Sequence, residues 1–123
     1  MPYYMYVALQ EDDKILVHTI EPQTGKLTPQ AEVSIPGGPF TMAISPARKF
    51  LYAGCRDTPQ LASFQIDQDS GGLTQNGSIP VEGWPVYIAT DRKGKFVLSA
   101  YYQGAHVGVH PIGADGSVGD PPI

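Results

Sequence analysis

Four side chains in predicted loops have the chemistry to hold a small organic anion or to move a proton. Arg56 carries a planar guanidinium, which can bind a carboxylate or phosphate through two parallel hydrogen bonds. Tyr102 can donate its hydroxyl to a substrate oxygen, and a sugar or organic acid can lie against the ring of Trp84. His106 could act as a general acid or base, since a histidine has an ordinary pKa of about 6.5. It is a weak candidate, because the sequence locates no partner for it. We therefore predict Arg56, Tyr102 and Trp84 as substrate-binding residues and leave the catalytic group unassigned.

Each candidate also has a plain structural explanation. Arg56 could pair at the surface with Asp57 or Glu11. The two aromatic residues could pack against their own loops, and the histidine could be an ordinary polar loop residue.

A repeat of 46 residues runs through the chain and relates two of these candidates. GGPFTMAISPARKFLYAG begins at Gly37, and GWPVYIATDRKGKFVLSA begins at Gly83. An earlier, incomplete copy begins near Tyr4, and Tyr102 lies one repeat after Arg56. A repeat of this length predicts an array of similar supersecondary units.

Each copy divides into four short strands separated by turn sequences. In the second copy we predict strands at 39–45, 49–55, 61–66 and 76–81. Four strands in a repeat of about 46 residues are typical of a β-propeller blade. The sequence therefore predicts an all-β fold with about 2.75 four-stranded antiparallel blades, or about 11 strands in total.

The predicted blades form a single partial propeller domain over residues 1–123. With the strands of a blade labelled A to D from the inside, the first blade has strands B to D only. The expected blade limits are 3–36, 38–82 and 84–123.

The strand order puts the D-to-A and B-to-C connections on one face of the disc, here called the site face. All four candidate side chains lie in these connections. The site face comprises residues 10–14, 37–40, 56–60, 83–85 and 101–106. On the opposite face we expect a basic cluster of solvated turn residues, namely Arg48, Lys49, Arg92, Lys93 and Lys95.

The remaining reactive side chains favour structural roles. His18 and His110 lie one repeat before and after Phe64, so we expect them to pack within sheets. Cys55, the one cysteine, excludes an internal disulfide and is expected to be buried rather than reactive. The acidic run 11–13 lacks the ligand spacing of a calcium loop and is expected to be a solvated turn. We predict no metal site and no cofactor.

Composition narrows the class of protein further. A net charge of −4 argues against a nucleic-acid partner, because neutralising phosphates requires clustered Lys and Arg. No apolar stretch approaches the length of a membrane span, and the N-terminus lacks a signal peptide. We therefore expect no membrane partner and a cytoplasmic location.

Three stretches together carry a resemblance to a known family: YMYVALQEDDKILVHTIEPQTGKLT, PFTMAISPARKFLYAGCRDTPQLASFQIDQDSGGLT and PVYIATDRKGKFVLSAYYQGAHVGVHPI. In this order and spacing they resemble the N-terminal third of the lactonase family of seven-bladed β-propellers. That family includes bacterial 6-phosphogluconolactonase and the fungal enzyme that lactonises 3-carboxymuconate. The resemblance implies that Met1 is a natural start and that the protein continues beyond Ile123.

The resemblance implies hydrolysis of a sugar-acid lactone such as 6-phosphogluconolactone, a reaction of carbohydrate metabolism. Arg56 and Tyr102 match an Arg and a Tyr of the family pattern. The family's most recognisable site histidine would lie beyond residue 123, so we expect the 123 residues alone to lack the catalytic base and to be inactive. Two alternatives stay open, a 3-carboxymuconate-type cycloisomerase and a non-catalytic binding or scaffold propeller.

The expected partners follow from the open arc of blades and from the candidate site. An arc leaves sheet faces and strand edges uncovered. We expect the remainder of the propeller, or another copy of the chain, to cover them. The expected small-molecule partner is an anionic lactone or organic acid.

Overall fold

The computed structural model describes residues 3–119, which form ten antiparallel β-strands in three sheets. The strands are β1 (Tyr3–Leu9), β2 (Lys14–Ile20), β3 (Leu27–Ser34), β4 (Pro39–Ile44), β5 (Phe50–Cys55), β6 (Gln60–Ile66), β7 (Leu73–Pro80), β8 (Pro85–Thr90), β9 (Phe96–Tyr101) and β10 (Val107–Pro111). This architecture confirms the all-β partial propeller. Within the described range no helix is long and apolar enough to cross a membrane.

The sheets follow the predicted strand order, with three, four and three strands. The first sheet is β1-β2-β3, the second is β4-β5-β6-β7 and the third is β8-β9-β10. The eleventh predicted strand, near the C-terminus, lies largely outside the described residues, although Val118 forms one bridge with Ile112. The last strand of the second sheet begins at Leu73 rather than at the predicted Asn76, because Leu73 pairs with Ile66 and packs on the core.

Irregularities in the strand pairing recur with the 46-residue repeat. The register of β4 against β5 shifts between Pro39 and Thr41, and that of β8 against β9 shifts between Pro85 and Tyr87. The shift between β2 and β3 at Val17/His18 likewise recurs between β6 and β7 at Ser63/Phe64. The repeat therefore encodes the bulges as well as the strands.

Two apolar clusters join neighbouring sheets. The first lies between the first and second sheets and includes Ile15, Ile35, Leu51, Ala53, Cys55, Ala62, Phe64 and Ile66. The second lies between the second and third sheets and includes Tyr52, Leu61, Ile79, Ile88, Val97 and Val118. The two middle strands of the second sheet, β5 and β6, are consequently buried along most of their length, whereas β7 is largely polar.

A tyrosine hydrogen bond reinforces each junction between sheets. Tyr6 Oη on β1 donates to the Gly71 carbonyl at 2.7 Å, and Tyr52 Oη on β5 donates to the Gly116 carbonyl at 2.7 Å. The two glycines have φ values of 75° and 82°, and a Cβ at Gly116 would overlap the ring of Phe50. Glycine is therefore required at the turn for both its conformation and its closeness to the neighbouring sheet.

The outward face of the third sheet is uncovered within the described residues. Val107 is 76% exposed, whereas Leu61, its equivalent one repeat earlier, is fully buried against the third sheet. Leu98 is 40% exposed, whereas its equivalent Tyr52 is fully buried. The exposed side chains of this face are therefore apolar like those that are buried between the second and third sheets.

Candidate functional site

The backbone at Arg56 is held by a glycine pair in the neighbouring connection of the site face. The Arg56 N–H donates to the Gly38 carbonyl at 2.9 Å. The N–H groups of Asp57 and Thr58 donate to the Gly37 carbonyl at 2.8 and 3.0 Å. The two glycines have φ values of 112° and 74°, and a Cβ on Gly38 would overlap the Asp57 carboxylate. Arg56 thus leaves β5 on a fixed turn rather than on a loose loop.

Side chains from the first sheet brace the same turn. Asp13 accepts a hydrogen bond from the Gly38 N–H at 2.9 Å, and Gln10 Nε2 donates to Asp57 Oδ1 at 3.2 Å. The predicted solvated turn at 11–13 is exposed, as expected, but its last residue also caps the glycine pair.

The Arg56 side chain lies on an aromatic surface. Its Cζ is 3.4 Å from the centroid of the Trp84 ring, in the connection that enters the third sheet. Phe40 lies nearly parallel to that indole, with centroids 5.9 Å apart and an interplanar angle of 14°. A guanidinium stacked on a ring keeps its N–H groups at its edge, where they can bind an anion in the guanidinium plane.

No carboxylate neutralises Arg56 in the described part of the chain. The one ion pair among residues 3–119 joins Lys14 and Glu32 at 3.4 Å, so the alternative pairing with Asp57 or Glu11 is not found there. An unpaired guanidinium on a fixed turn favours an anion at this position.

The contacts of Trp84 differ from those predicted from the sequence, in which a sugar or organic acid lies against its ring. The guanidinium covers one face of its ring, so a ligand has only the other parts of the indole to contact. The indole Nε1 is buried and has no hydrogen-bond partner within residues 3–119.

The other two candidates lie together in the connection between β9 and β10. Tyr102 is 82% exposed, and its side chain makes no hydrogen bond or ring contact in the described part of the molecule. His106 is exposed and stacks on Tyr101, with centroids 4.2 Å apart and an interplanar angle of 11°. No carboxylate orients the His106 ring among the described residues, and a general base is usually oriented by such a group.

A buried polar chain fixes the ring beneath His106. Ser99 Oγ donates to Tyr101 Oη at 3.1 Å and lies 3.1 Å from His110 Nε2. Burial raises the pKa of Tyr101, so this phenol stays protonated at neutral pH. His110 is 3% exposed, which confirms that it packs within the sheet, whereas His18 is only half-buried.

Cys55, next to Arg56 in sequence, is fully buried at the end of β5. Burial raises the pKa of its thiol to about 11, so the thiolate is scarce near neutral pH. The prediction of a structural cysteine is confirmed.

Sequence reasoning missed Phe40 and the glycine pair as parts of the site. The repeat contained the signal, because Gly38 and Trp84 occupy the same position in successive copies. Gln10, which follows strand B of the first blade, lies beside Gly38, and Arg56, which follows strand B of the second blade, lies beside Trp84.

Comparison with known proteins shows the family of the chain. A family model described as "Lactonase, 7-bladed beta-propeller" matches residues 6–122. The chain belongs to this lactonase family. The resemblance noted from the sequence is thereby confirmed.

Relatives of this lactonase-family chain are similar over almost its whole length. The 6-phosphogluconolactonase of Pectobacterium carotovorum is 41% identical over 121 residues, which are 98% of this chain and 36% of that protein. A Bacteroides uniformis protein assigned as a 6-phosphogluconolactonase superposes with a TM-score of 0.89 at 25% identity, over 99% of this chain and 37% of the other. The periplasmic gluconolactonase of Pseudomonas aeruginosa superposes with a TM-score of 0.85 at 25% identity, over 96% of this chain and 35% of the other.

The chain thus spans about a third of the length of the curated relatives that it matches. The described sheets are similar to a part of these longer proteins.

Proposed function

We propose that the chain supplies part of a lactone hydrolase that acts on 6-phosphogluconolactone. The observation that carries this proposal is the unpaired Arg56 guanidinium stacked on Trp84 at the site face. In this proposal the guanidinium edge binds the anionic group of the substrate and Tyr102 donates its hydroxyl to a substrate oxygen. Trp84 borders the same subsite.

The hydrolysis itself requires a base that activates water and cationic groups that stabilise the oxyanion. His106 is a weak candidate for that base, because no described residue orients its ring. We propose that residues outside this chain supply the decisive base, so that the 123 residues alone have no lactonase activity.

The partners proposed here follow from the uncovered faces. The remaining blades of the propeller, or another copy of the chain, would pack against Val107 and Leu98. We propose the cytoplasm as the location, because 6-phosphogluconolactone is a phosphorylated intermediate and such sugars are made inside cells.

The alternative enzyme is a cycloisomerase that acts on a 3-carboxymuconate-type acid. Its substrate carries carboxylates where 6-phosphogluconolactone carries a phosphate, and Arg56 suits both anions. The similarity to proteins named for gluconolactones favours the hydrolase. A scaffold propeller without a small-molecule ligand gives no reason for an unpaired arginine in this position, whereas a non-catalytic propeller that binds an anion would use Arg56 as the hydrolase does and differs from it in lacking lactone hydrolysis.

The test is a chimera in which this chain replaces the matching segment of the Pectobacterium carotovorum enzyme. We expect the chimera to hydrolyse 6-phosphogluconolactone and not to lactonise 3-carboxymuconate, while the 123-residue chain alone stays at the background rate. A chimera with native-like circular dichroism and cooperative melting that does not hydrolyse the lactone would contradict the proposal.

A further inference from the structure

The pair formed by Arg56 and Trp84 has no counterpart at the preceding junction between sheets. One repeat earlier, Gln10 occupies the Arg56 position and Gly38 occupies the Trp84 position. A Cβ built on Gly38 would lie 3.1 Å from Gln10 Cγ, so the two equivalent positions are also neighbours in space. The fold therefore brings these positions together at each junction, and only the second junction among the described residues carries a cation on an aromatic ring.

The surroundings of Trp84 point to a task other than packing a core. Its connection lies on the site face, and its ring is only half-buried. Phe40, 45% exposed, is stacked nearly parallel to the indole, and the indole itself forms an aromatic shelf against the guanidinium. Long charged side chains sample many rotamers when they are exposed, so a shelf of this kind restricts the directions that the guanidinium can take.

From this geometry we propose that Trp84 is a positioning residue. Its ring, stacked against Phe40 on one side of the contact, holds the Arg56 guanidinium so that the N–H edge faces a phosphate group of the substrate. The proposal rests on the proposed function for the choice of a phosphorylated sugar acid, and it differs from the sequence expectation in that Trp84 acts through Arg56 rather than as a platform for the sugar.

The guanidinium has two kinds of surface, and the shelf uses one of them. Stacking occupies its flat face, whereas bidentate phosphate binding uses its edge. The backbone end of Arg56 is fixed by Gly38 and the far end by Trp84. A side chain held at both ends loses little further freedom when it binds, so preorganisation favours the anion.

The test uses the full chain and two ligands that differ by one phosphate, 6-phosphogluconate and gluconate. Because the chain has one tryptophan, the indole N–H of Trp84 gives a single signal in a ¹H–¹⁵N NMR spectrum. The backbone amides of Gly38 and Arg56 report binding in variants that lack the indole. We expect 6-phosphogluconate to shift these signals at concentrations at which gluconate does not.

A double-mutant cycle separates positioning from direct contact. We expect Arg56→Gln to weaken 6-phosphogluconate binding at least about tenfold, because a charged hydrogen-bond pair is lost. Trp84→Leu should weaken it about threefold, and Trp84→Phe should restore most of the loss. In the Arg56→Gln background, Trp84→Leu should have no further effect. Arg92→Gln, on the opposite face, is the matched control and should bind as the parent chain does.

Three results would overturn the proposal, provided that the variants keep a dispersed β-sheet spectrum. The first is that the losses of binding free energy in Arg56→Gln and Trp84→Leu add up in the double variant. The second is unchanged binding in Trp84→Leu, and the third is no binding of 6-phosphogluconate to the parent chain. If the Arg56→Gln substitution did not change the chemical shift of the Trp84 indole N–H, that result would also contradict the stacking itself. A chimera that lacks lactonase activity while this chain retains phosphate-dependent binding would reject the proposed function and leave the positioning role intact.

Discussion

The two junctions between sheets are alike on one face of the disc and different on the other. On the face opposite the site, Tyr6 binds the Gly71 carbonyl and Tyr52 binds the Gly116 carbonyl, both at 2.7 Å. On the site face, the first junction has Gln10 bonded to Asp57, whereas the second has Arg56 stacked on an indole.

This contrast distinguishes the positions of the repeat that packing between blades constrains from the positions that are free to vary. The tyrosine hydrogen bonds and glycine turns recur because every blade must pack on its neighbour. The side chains after strand B differ because each can face a ligand without disturbing that packing. We therefore propose that functional residues lie where equivalent positions of the repeat differ in residue type.

The largest effect is expected where a junction is buried. Leu61→Ala should lower the free energy of unfolding by about 2–5 kcal/mol, because it opens a cavity between the second and third sheets. Val107→Ala, one repeat later, should change it by less than about 0.5 kcal/mol, because that side chain is exposed. Equilibrium urea unfolding of the full chain measures both, and similar losses would show that the third sheet is covered in solution.

The next effect concerns alkaline pH. Burial raises the pKa of Tyr52 to about 12, whereas the unfolded chain has the ordinary value of about 10. The stabilisation is complete below pH 10 and is lost as the pH rises towards 12, because the unfolded state ionises first. We expect the free energy of unfolding to fall by up to about 2 kcal/mol over that range from this group. The fall should be smaller in Tyr52→Phe, and an identical fall in the variant would refute the assignment.

A smaller effect distinguishes the two junction hydrogen bonds. Tyr52→Phe leaves the buried Gly116 carbonyl without its donor and should cost about 1–2 kcal/mol. Tyr6→Phe should cost about 0.5–1 kcal/mol, because Tyr6 is only half-buried and water can replace the phenol. Urea midpoints of the two variants check the order, and a larger loss for Tyr6→Phe would reverse our view of the two junctions.

The smallest effect is expected at the site face of the first junction. Gln10→Ala removes an exposed hydrogen bond of 3.2 Å to Asp57 and should lower the free energy of unfolding by less than about 0.5 kcal/mol. A loss above 1 kcal/mol in thermal or urea unfolding would mean that Gln10 also holds the turn that carries Arg56.

The fold was predictable because the repeat determines it at several levels. Turn residues mark the ends of the strands, and positions such as Leu61 and Val107 share one column. Burial was less predictable, since those two residues have the same place in a strand and differ in exposure only because of what lies beside their sheets.

The site was predictable in part. The guanidinium chemistry made Arg56 a candidate, and the repeat predicted its connection on the site face. Its contact with Trp84 depends on side-chain direction across a junction, which strand patterns do not contain. The same limit hid the stacking of His106 on Tyr101, because that contact depends on the local turn between β9 and β10.

We propose above that Arg56 recognises the phosphate of a lactone substrate. The most direct measurement is the kcat/KM of the chimera and its Arg56→Gln variant for 6-phosphogluconolactone and for unphosphorylated gluconolactone, with Arg92→Gln as the control. We expect Arg56→Gln to lose at least about tenfold more activity towards the phosphorylated lactone than towards the unphosphorylated one. Equal losses for the two lactones, or no loss for either, would contradict it.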